Sequence, residues 1–359
     1  MIMKTIIQIF TAGITSFLLT IVLIPVLKKI AIKINLVDKP NGRKIHQLPI
    51  PLIGGIAIAL AIFLTSLINA QLFLFIVKQQ TLFSTALVLL ILGIIDDKID
   101  LNAKYKLMIQ LICALAIAFS GIRIVSLYGL FGVYEIPVLL QYILTMVIIT
   151  GIVNAMNLMD GIDGLLGEIS MLGFLILFSF SIYLKEYSFT ALCISFVGSI
   201  SGFLKFNLSN KKIFMGDAGS LFLGYILVSS SIYLLNNNSH SENSKNLLLI
   251  SAIGFFALPV LDSIRVYLGR IKIGKSPFKA DKTHIHHLLL LMNFSHKRIG
   301  VIITFISIVF LIYSLMVLNY LSLFWIILSI GVLFSIISLI LNLNKKVIDW
   351  RDKIKELEK

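Results

Sequence analysis

Apolar runs of membrane-spanning length divide almost the whole sequence, and they constrain the fold more than any other feature. We identify eleven, at roughly residues 5–27, 53–76, 82–95, 107–125, 138–156, 163–184, 188–206, 218–235, 247–268, 299–318 and 320–343. Apolar residues make up 58% of the chain, whereas soluble domains contain about 45–50%. This excludes secreted disulfide scaffolds, disordered chains and nucleic-acid-binding domains. The sequence predicts an all-α polytopic membrane protein with about eleven transmembrane helices, and ten is the alternative count.

The Lys and Arg residues are divided unequally between the two sides of these spans. When the connections are assigned to alternating sides, 26 of the 31 positive residues fall on one side. The positive-inside rule makes that side cytoplasmic, which places the N-terminus outside and the C-terminus in the cytoplasm. The net charge of +14 therefore reflects membrane topology rather than nucleic-acid binding. We predict a single transmembrane domain over residues 1–344 and a charged, solvated cytoplasmic tail over residues 345–359. Because the charges of this tail alternate in sign, a short surface helix is the alternative.

The carboxylates are also distributed unequally. All eleven Asp residues lie on or near the predicted cytoplasmic face, whereas the opposite face carries only Glu135, Glu186 and Glu242. Acidic residues contribute little to membrane topology, so insertion does not explain this bias. The distribution indicates a site on the cytoplasmic face that needs short, rigid carboxylates.

The first of four polar motifs is Asp96-Asp97-x-x-Asp100, where an apolar run meets the cytoplasm. Adjacent carboxylates at a membrane boundary repel each other and lose solvation. A cation such as Mg²⁺, bound together with phosphate oxygens, would relieve both costs. A solvated helix end is the alternative explanation of this motif.

The second motif, Asn154-x-x-Asn157-x-x-Asp160-Gly-Ile-Asp163-Gly, stands between two apolar runs. The spacing of three places Asn154, Asn157 and Asp160 on one face of a helix. The glycine after each Asp allows the backbone to approach a ligand closely. A tight turn needs fewer special residues, and polar groups at membrane depth are functional candidates.

The third motif joins Asn207 to Phe214-Met-Gly216-Asp217-x-Gly-Ser220, just before a predicted helix. Asp217 is either the N-cap of this helix or a metal ligand beside backbone N–H groups that hold phosphate. This motif alone does not decide between the two roles.

The fourth motif combines Asp262-x-x-Arg265 with His284-Ile-His286-His287 in a basic segment. The positive-inside rule accounts for the Lys and Arg residues but not for three of the six histidines within four positions. Imidazoles in a basic loop suit an anionic substrate. The carboxylates elsewhere favour a hard cation such as Mg²⁺ over a zinc site made of histidines.

All four motifs fall on the same predicted side of the membrane. If the helices bring them together, they form a carboxylate-rich pocket ringed by cations, which suits phosphoryl transfer through Mg²⁺. The membrane location indicates that one substrate is a lipid. A proton- or ion-coupled transporter is the alternative from another class, although the carboxylates lie at one face and no internal repeat is evident.

The chain resembles the polyprenyl-phosphate N-acetylhexosamine-1-phosphate transferases over roughly residues 20–340, and the four motifs carry the resemblance. This family includes the MraY-type enzymes of peptidoglycan synthesis and the WecA/TagO-type enzymes of surface polysaccharide synthesis. The resemblance implies ten or eleven helices, cytoplasmic catalytic loops and a Mg²⁺ cofactor, for which Mn²⁺ could substitute. It also implies a bacterial cytoplasmic-membrane enzyme that uses a UDP-sugar and a polyprenyl phosphate, the latter being undecaprenyl phosphate.

The resemblance also implies a role for each matching residue. Asp217 matches the Mg²⁺ ligand, and Asp96 matches the carboxylate that deprotonates the lipid phosphate or acts as a nucleophile. Phe214 would stack on uracil, and Lys106 and Gln110 resemble a pair that faces phosphate. The residues implied as catalytic are Asp96, Asp97, Asp160, Asp163, His284, His286 and His287. Those implied in substrate binding are Asn154, Asn157, Asn207, Phe214, Gly216, Lys106 and Arg265, and those implied in metal binding are Asp217 and Asp96.

Fewer residues indicate the branch of the family. The sequence His284-Ile-His286-His287-Leu differs from the His-His-His-x-Glu-like motif of MraY-type enzymes. The WecA/TagO-like segments are Arg265, Ser276-Pro-Phe278, Asp281-Lys-x-His284 and Arg43-Lys-x-His46-x-x-Pro49-Ile-Pro51-x-x-Gly54-Gly55. One departure is Leu52, where that branch leads us to expect Arg.

The WecA/TagO-like resemblance implies transfer of N-acetylhexosamine 1-phosphate, with N-acetylglucosamine (GlcNAc) as the expected sugar, from a UDP-sugar to undecaprenyl phosphate. UMP would be released in this first membrane step of cell-envelope polysaccharide synthesis. An MraY-type transferase that uses UDP-MurNAc-pentapeptide is the alternative within the family. No motif decides between a monomer and a homodimer, or between direct attack and an aspartyl intermediate.

Overall fold

The computed structural model describes residues 2–38, 48–210, 212–237, 242–274 and 283–357, and these residues are mostly helical. The helices are α1 (Ile2–Lys33), α2 (Gly54–Ile68), α3 (Ala70–Lys78), α4 (Gln80–Ile99), α5 (Ala103–Phe119), α6 (Val138–Leu158), α7 (Leu165–Tyr183), α8 (Tyr187–Asn207), α9 (Gly216–Asn236), α10 (Glu242–Lys272), α11 (Ile285–Leu291), α12 (His296–Val317) and α13 (Leu323–Leu357). The strands form two short antiparallel pairs, β1 (Val37–Asp38) with β2 (Ile50–Pro51) and β3 (Ser126–Leu130) with β4 (Val133–Glu135). The predicted all-α architecture is confirmed for this part of the chain.

Within the described ranges, eight helices are long and apolar enough to cross a membrane, or up to nine if the bent pair α2–α3 counts as one span. The eight are α1, α6, α7, α8, α9, α10, α12 and α13. The remaining predicted run 82–95 lies in α4, and the run 107–125 begins in α5 but extends beyond its end at Phe119. Neither α4 nor α5 is included in that count. A polytopic membrane protein is therefore supported, whereas eleven spans and their orientation stay predictions.

The continuous hydropathy of the second apolar run suggests one straight helix, but the structure shows a break. It bends by 111° between α2 and α3, at Asn69. The Asn69 side chain accepts a hydrogen bond from the Leu72 N–H at 3.1 Å and donates one to the Gln8 carbonyl at 2.7 Å. One polar residue within an apolar run thus caps α3 and fixes the break.

Helix α9 forms the centre of the bundle, and its side chains are almost all buried. Two glycines let neighbouring helices approach its first turn: a Cβ on Gly55 of α2 would lie 2.2 Å from the Gly219 Cα, and a Cβ on Gly93 of α4 would lie 2.3 Å from the Ala218 Cα. Backbone contact this close excludes any larger residue. The end of α4 is therefore held against the start of α9.

The segment before α9 is fixed by the chain around β2. The Phe214 N–H donates to the Pro51 carbonyl at 2.9 Å, and the Gly54 and Gly55 N–H groups donate to the Phe214 and Met215 carbonyls at 2.9 and 3.1 Å. Leu52 forms an isolated parallel bridge with Phe214. These main-chain bonds place residues 50–55 alongside the third sequence motif.

Helix α13 continues through the predicted solvated tail to Leu357. The sequence contains no Gly or Pro after Gly331, so nothing in it stops the helix at the end of the apolar run. Its 35 residues span about 52 Å at ~1.5 Å per residue, which exceeds the ~30 Å hydrocarbon core. Residues 345–357 are helical, as in the alternative prediction for the tail, although they continue α13 rather than form a separate helix. The domain boundary at 344 stays a prediction.

Candidate active site

A cavity of about 1510 Å³ opens at the end of the bundle where α4 ends and α9 begins. Many of the residues that the sequence motifs singled out line it. These are Asp96, Asp97, Asp160, Asp163, Asn207, Phe214, Gly216, Asp217 and His287. The four motifs, which lie far apart in the sequence, thus meet at one end of the molecule, as predicted.

An acidic cluster, made of Asp96, Asp217 and Lys106, lies at the base of this cavity. The Lys106 ammonium donates to Asp96 Oδ2 at 2.5 Å and to Asp217 Oδ2 at 3.1 Å. Asp96 is buried and also accepts the Leu101 N–H at 2.7 Å. Burial lowers the pKa of Lys106, but the charges of Asp217 and Asp96 outweigh it, so this pKa lies above its ordinary value.

The amide side chains of the second motif extend this cluster along α6. Asn157 Nδ2 lies 3.5 Å from Asp217 Oδ2, and Asn154 Nδ2 donates to Gln110 Oε1 at 2.6 Å. Lys106 and Gln110, the predicted phosphate-facing pair, are one turn apart on α5. Lys106 contacts Asp96 of α4 and Asp217 of α9, whereas Gln110 contacts Asn154 of α6. The buried Gln110 Nε2 has no hydrogen-bond partner within the described ranges.

Asp97 caps the N-terminus of α9 from another helix. Its carboxylate accepts the Asp217 N–H at 2.8 Å and the Ala218 N–H at 3.2 Å. Asp217 is itself inside α9, so its reading as the N-cap is wrong, and its carboxylate is directed to Lys106 instead. Burial, reinforced by the nearby Asp217 charge, raises the pKa of Asp97 to about 7.

Gly216 is required where Asp97 meets α9. Its φ is +73°, in the left-handed region, and a Cβ on it would lie 2.5 Å from Asp97 Oδ2. The backbone N–H of Gly216 also donates to Asp160. The close contact with Asp97 explains the left-handed conformation of Gly216. The substrate contact predicted for Gly216 stays a prediction.

Asp160 is half-buried and faces three other carboxylates. Burial and the charges of Asp217, Asp97 and Asp163 raise its pKa well above the ordinary value, against the effect of the Gly216 hydrogen bond. A carboxyl group in this environment favours either a proton or a bound cation.

A basic cluster, made of Lys212, His296 and Asp163, forms another part of the cavity wall. Asp163 Oδ2 is 2.5 Å from the Lys212 ammonium and 3.0 Å from His296 Nδ1. Burial raises the pKa of Asp163, but these partners outweigh it and hold the pKa below its ordinary value. Sequence reasoning missed Lys212 and His296. The one available signal was that Lys212 stands two residues before Phe214.

Asn207 connects two loops of the site through its side-chain amide. Its Oδ1 accepts the Gly164 N–H at 2.6 Å, and its Nδ2 donates to the Ile213 carbonyl at 2.7 Å. The side chain is buried and ties the loop before α7 to the segment before α9. Its implied role in substrate binding stays a prediction, and both ends of its amide are engaged with backbone groups.

Asp262 belongs to the fourth sequence motif, but the sequence indicated no role for it. Its carboxylate accepts from Arg265 Nη2 at 2.7 Å, lies 3.0 Å from His284 Nδ1 and accepts the Ile285 N–H at 3.2 Å. Arg265 also donates to the Thr283 carbonyl at 2.6 Å. Asp262 thus fixes the start of α11 against α10.

The three clustered histidines occupy different environments. His287 lines the cavity. His286 is buried, and it packs closely on Gly161, where a Cβ would lie 2.7 Å from His286 Nε2. His284 is buried on Asp262. Within the described ranges, neither His284, His286 nor Arg265 lines the cavity, and their predicted catalytic and binding roles stay predictions.

Parts of the predicted site lie outside the described residues, namely Arg43, His46, Ser276-Pro-Phe278 and Asp281. Leu52, the departure from the family pattern, lies on the cavity wall. In the part of the chain that the structure describes, no group of three or more His, Cys, Asp or Glu side chains is arranged so that it could hold a metal ion.

Comparison with known proteins identifies relatives over most of the chain. The family model described as glycosyl transferase family 4 matches residues 80–235. The chain is 31% identical over 294 residues to the undecaprenyl-phosphate alpha-N-acetylglucosaminyl 1-phosphate transferase of Yersinia pestis, covering 80% of this chain and 78% of that protein. It is 31% identical over 297 residues to the protein of the same name from Escherichia coli (strain K12), covering 81% and 79%. A Bacillus subtilis (strain 168) protein named "Probable undecaprenyl-phosphate N-acetylglucosaminyl 1-phosphate transferase" is 32% identical over 314 residues, covering 85% and 83%.

Proposed function

The chain belongs to glycosyl transferase family 4, and from that premise we propose that it transfers GlcNAc 1-phosphate from UDP-GlcNAc to undecaprenyl phosphate. UMP is the second product, and the reaction begins the membrane stage of a cell-envelope polysaccharide. The observation that carries this proposal is the convergence of Asp96, Asp97, Asp160 and Asp217 with Lys106 beside one cavity. The names of the relatives support the lipid acceptor and the GlcNAc group.

The proposed reaction is a displacement at phosphorus. An oxygen of the lipid phosphate attacks the β-phosphorus of the nucleotide sugar, the bond from that phosphorus to the bridging oxygen breaks, and UMP leaves with the electron pair. Such a reaction depends mainly on positioning and on stabilisation of negative charge. Lys106 supplies a fixed positive charge at the acidic cluster, and Asn157 supplies an amide donor beside it.

The donor set of the acidic cluster fits Mg²⁺. Carboxylate oxygens are its preferred protein ligands, and one or two of them complete the site together with substrate phosphates. Lys106 already lies between Asp96 and Asp217, so this position attracts positive charge. We propose Asp217 as the main ligand, with Asp96 beside it. When bound, the ion would neutralise charge on the transferred phosphate.

Asp96 is better placed to position Lys106 than to act as a nucleophile. Burial raises its pKa, but its hydrogen bonds to Asp217 and Lys106 outweigh that effect, so the pKa lies below its ordinary value. A carboxylate engaged in this way is a weak base and a hindered nucleophile. The proposal is therefore direct attack by the lipid phosphate. Isolation of a phosphorylated Asp96 after rapid quenching would contradict it.

We place the cavity on the cytoplasmic face of a bacterial cytoplasmic membrane. The support is the distribution of Lys and Arg, because Lys28, Lys98 and Lys212 all border the cavity.

The test is UMP release by the purified full-length protein in detergent. Undecaprenyl phosphate and Mg²⁺ would be supplied with UDP-GlcNAc, UDP-GalNAc or UDP-MurNAc-pentapeptide in separate reactions. We expect release from UDP-GlcNAc that is lost in Asp217→Asn and retained in Glu135→Gln, a matched change on the exposed strand β4. Release from another donor alone would change the proposed substrate. No release from any donor by a folded protein would contradict the transferase proposal.

A further inference from the structure

The two clusters on the cavity carry opposite balances of charge. In the acidic cluster two carboxylates share one ammonium, which leaves excess negative charge. In the basic cluster a single carboxylate meets an ammonium and an imidazole, so its charge is zero or positive. Phosphate therefore needs an additional cation at the first cluster, whereas the second can bind it directly.

The basic cluster directs its cationic side chains towards the cavity. The Asp163 side chain is 9% exposed, whereas those of Lys212 and His296 are 40% and 29% exposed, and all three line the cavity. The carboxylate thus lies behind the two partners and holds them in place. A lysine ammonium has three N–H bonds, so Lys212 can bind a ligand while keeping its bond to Asp163.

Phe214, which the family resemblance predicts to stack on uracil, lies close to this cluster in the sequence. Phe214 lines the same cavity and stands two residues after Lys212. Asn207 bonds both the Gly164 N–H and the Ile213 carbonyl, so the segment from Lys212 to Phe214 is tied to the loop that carries Asp163. A base stacked on Phe214 would therefore have its phosphate within the reach of the basic cluster.

We propose that Lys212 and His296, held by Asp163, bind the phosphate of the uridine nucleotide that becomes UMP. The acidic cluster would then act on the transferred sugar phosphate, and the basic cluster would hold the leaving group. This inference rests on the proposed function, since it takes the donor to be a uridine diphosphate sugar. His296 is the first residue of α12, so the basic cluster brings the start of that helix to the cavity.

The experiment compares the binding of UMP and uridine to the full-length protein in detergent without Mg²⁺, by isothermal titration calorimetry. The two ligands differ by the phosphate, so the ratio of their affinities isolates its contribution. We expect the wild type to bind UMP more tightly than uridine. Lys212→Gln and His296→Gln should each weaken UMP binding about tenfold or more, which is the usual effect of removing a hydrogen bond to a charged group. Uridine binding should be unchanged.

The matched control is Lys297→Gln. Lys297 is exposed, follows His296 directly and does not line the cavity. This variant removes the same charge as Lys212→Gln, and it does so in the helix turn that carries His296. It should bind both ligands like the wild type. Lys212→Arg should restore part of the preference for UMP, because it keeps the positive charge.

Two results would overturn the inference while leaving the proposed function intact, provided that the wild type releases UMP in the transferase assay. One is that both variants bind UMP and uridine with the affinities of the wild type. The other is an equal weakening of UMP and uridine, which would mean that the cluster shapes the loop rather than binds phosphate. If the folded wild type binds neither ligand and releases no UMP, the inference and the proposed function both fail.

Discussion

The ammonium of Lys106 lies between two carboxylates that would repel each other without it. We expect Lys106→Gln to lower kcat by about 10²-fold or more, which is typical of removing one fixed charge-stabilising donor from an active site. Lys104→Gln on the exposed side of the same helix should retain activity. Steady-state UMP release measures both variants. A Lys106→Gln enzyme with wild-type kcat would contradict the role given to the acidic cluster.

His286 predicts how stability depends on pH. Burial, with the neighbouring histidines, lowers its pKa from 6.5 to about 3. Between these values the unfolded chain binds a proton that the folded chain does not, so stability falls as pH decreases below about 6.5, by up to ~1.4 kcal/mol per pH unit. In His286→Gln this dependence should be smaller. Thermal unfolding in detergent from pH 7.5 to 5 tests it, and parallel curves for the two proteins would refute it.

Single residues also show where sequence reasoning reached its limit. The carboxylates of the cavity were predictable, because Asp at a membrane boundary has few structural uses. The capping of α9 by Asp97 was not, since the two groups are 120 positions apart and only packing brings them together. Lys212 and His296 were missed for the same reason, as each is an ordinary positive or polar residue until Asp163 is placed beside it.

At the level of elements, the first turn of α9 determines the geometry of the site, and Gly216 controls that turn. Gly216→Ala would place a Cβ 2.5 Å from Asp97 Oδ2 at a φ of +73°, a conformation that costs non-glycine residues about 1–3 kcal/mol. We expect loss of most UMP release together with a lower thermal stability. The matched control is Gly151→Ala in α6, where a Cβ would meet no atom within 4 Å. Equal effects of the two changes would show that the turn does not have this role.

The elements themselves were largely predictable, because apolar runs and helices coincide. The bend at Asn69 and the continuation of α13 to Leu357 were not. Hydropathy reports which residues avoid water, and it is insensitive to a side chain such as Asn69 that caps a new helix within an apolar run. It also says nothing about a polar helix that continues beyond the membrane, and the absence of Gly and Pro after Gly331 permits such a helix without requiring it.

At the scale of the whole molecule, the positive charges that predict the orientation fall on the same side as the Asp residues. The alternating spans place 26 Lys and Arg residues and all eleven Asp residues on the same side. The structure gathers many of those Asp residues at one end of the bundle, around the cavity. The positive-inside rule predicts that this end is cytoplasmic, and the proposed nucleotide sugar would then enter from the cytoplasm.

Cysteine labelling in intact cells tests this orientation. The native Cys113 and Cys193 are buried, so they contribute little background. Glu135→Cys on β4 and Lys297→Cys at the start of α12 both place the thiol at an exposed position. We expect a membrane-impermeant maleimide to label the first variant in intact cells and the second only after permeabilisation. The reverse pattern would place the cavity and its carboxylates outside the cell, and it would contradict both the orientation and the proposed entry of the donor from the cytoplasm.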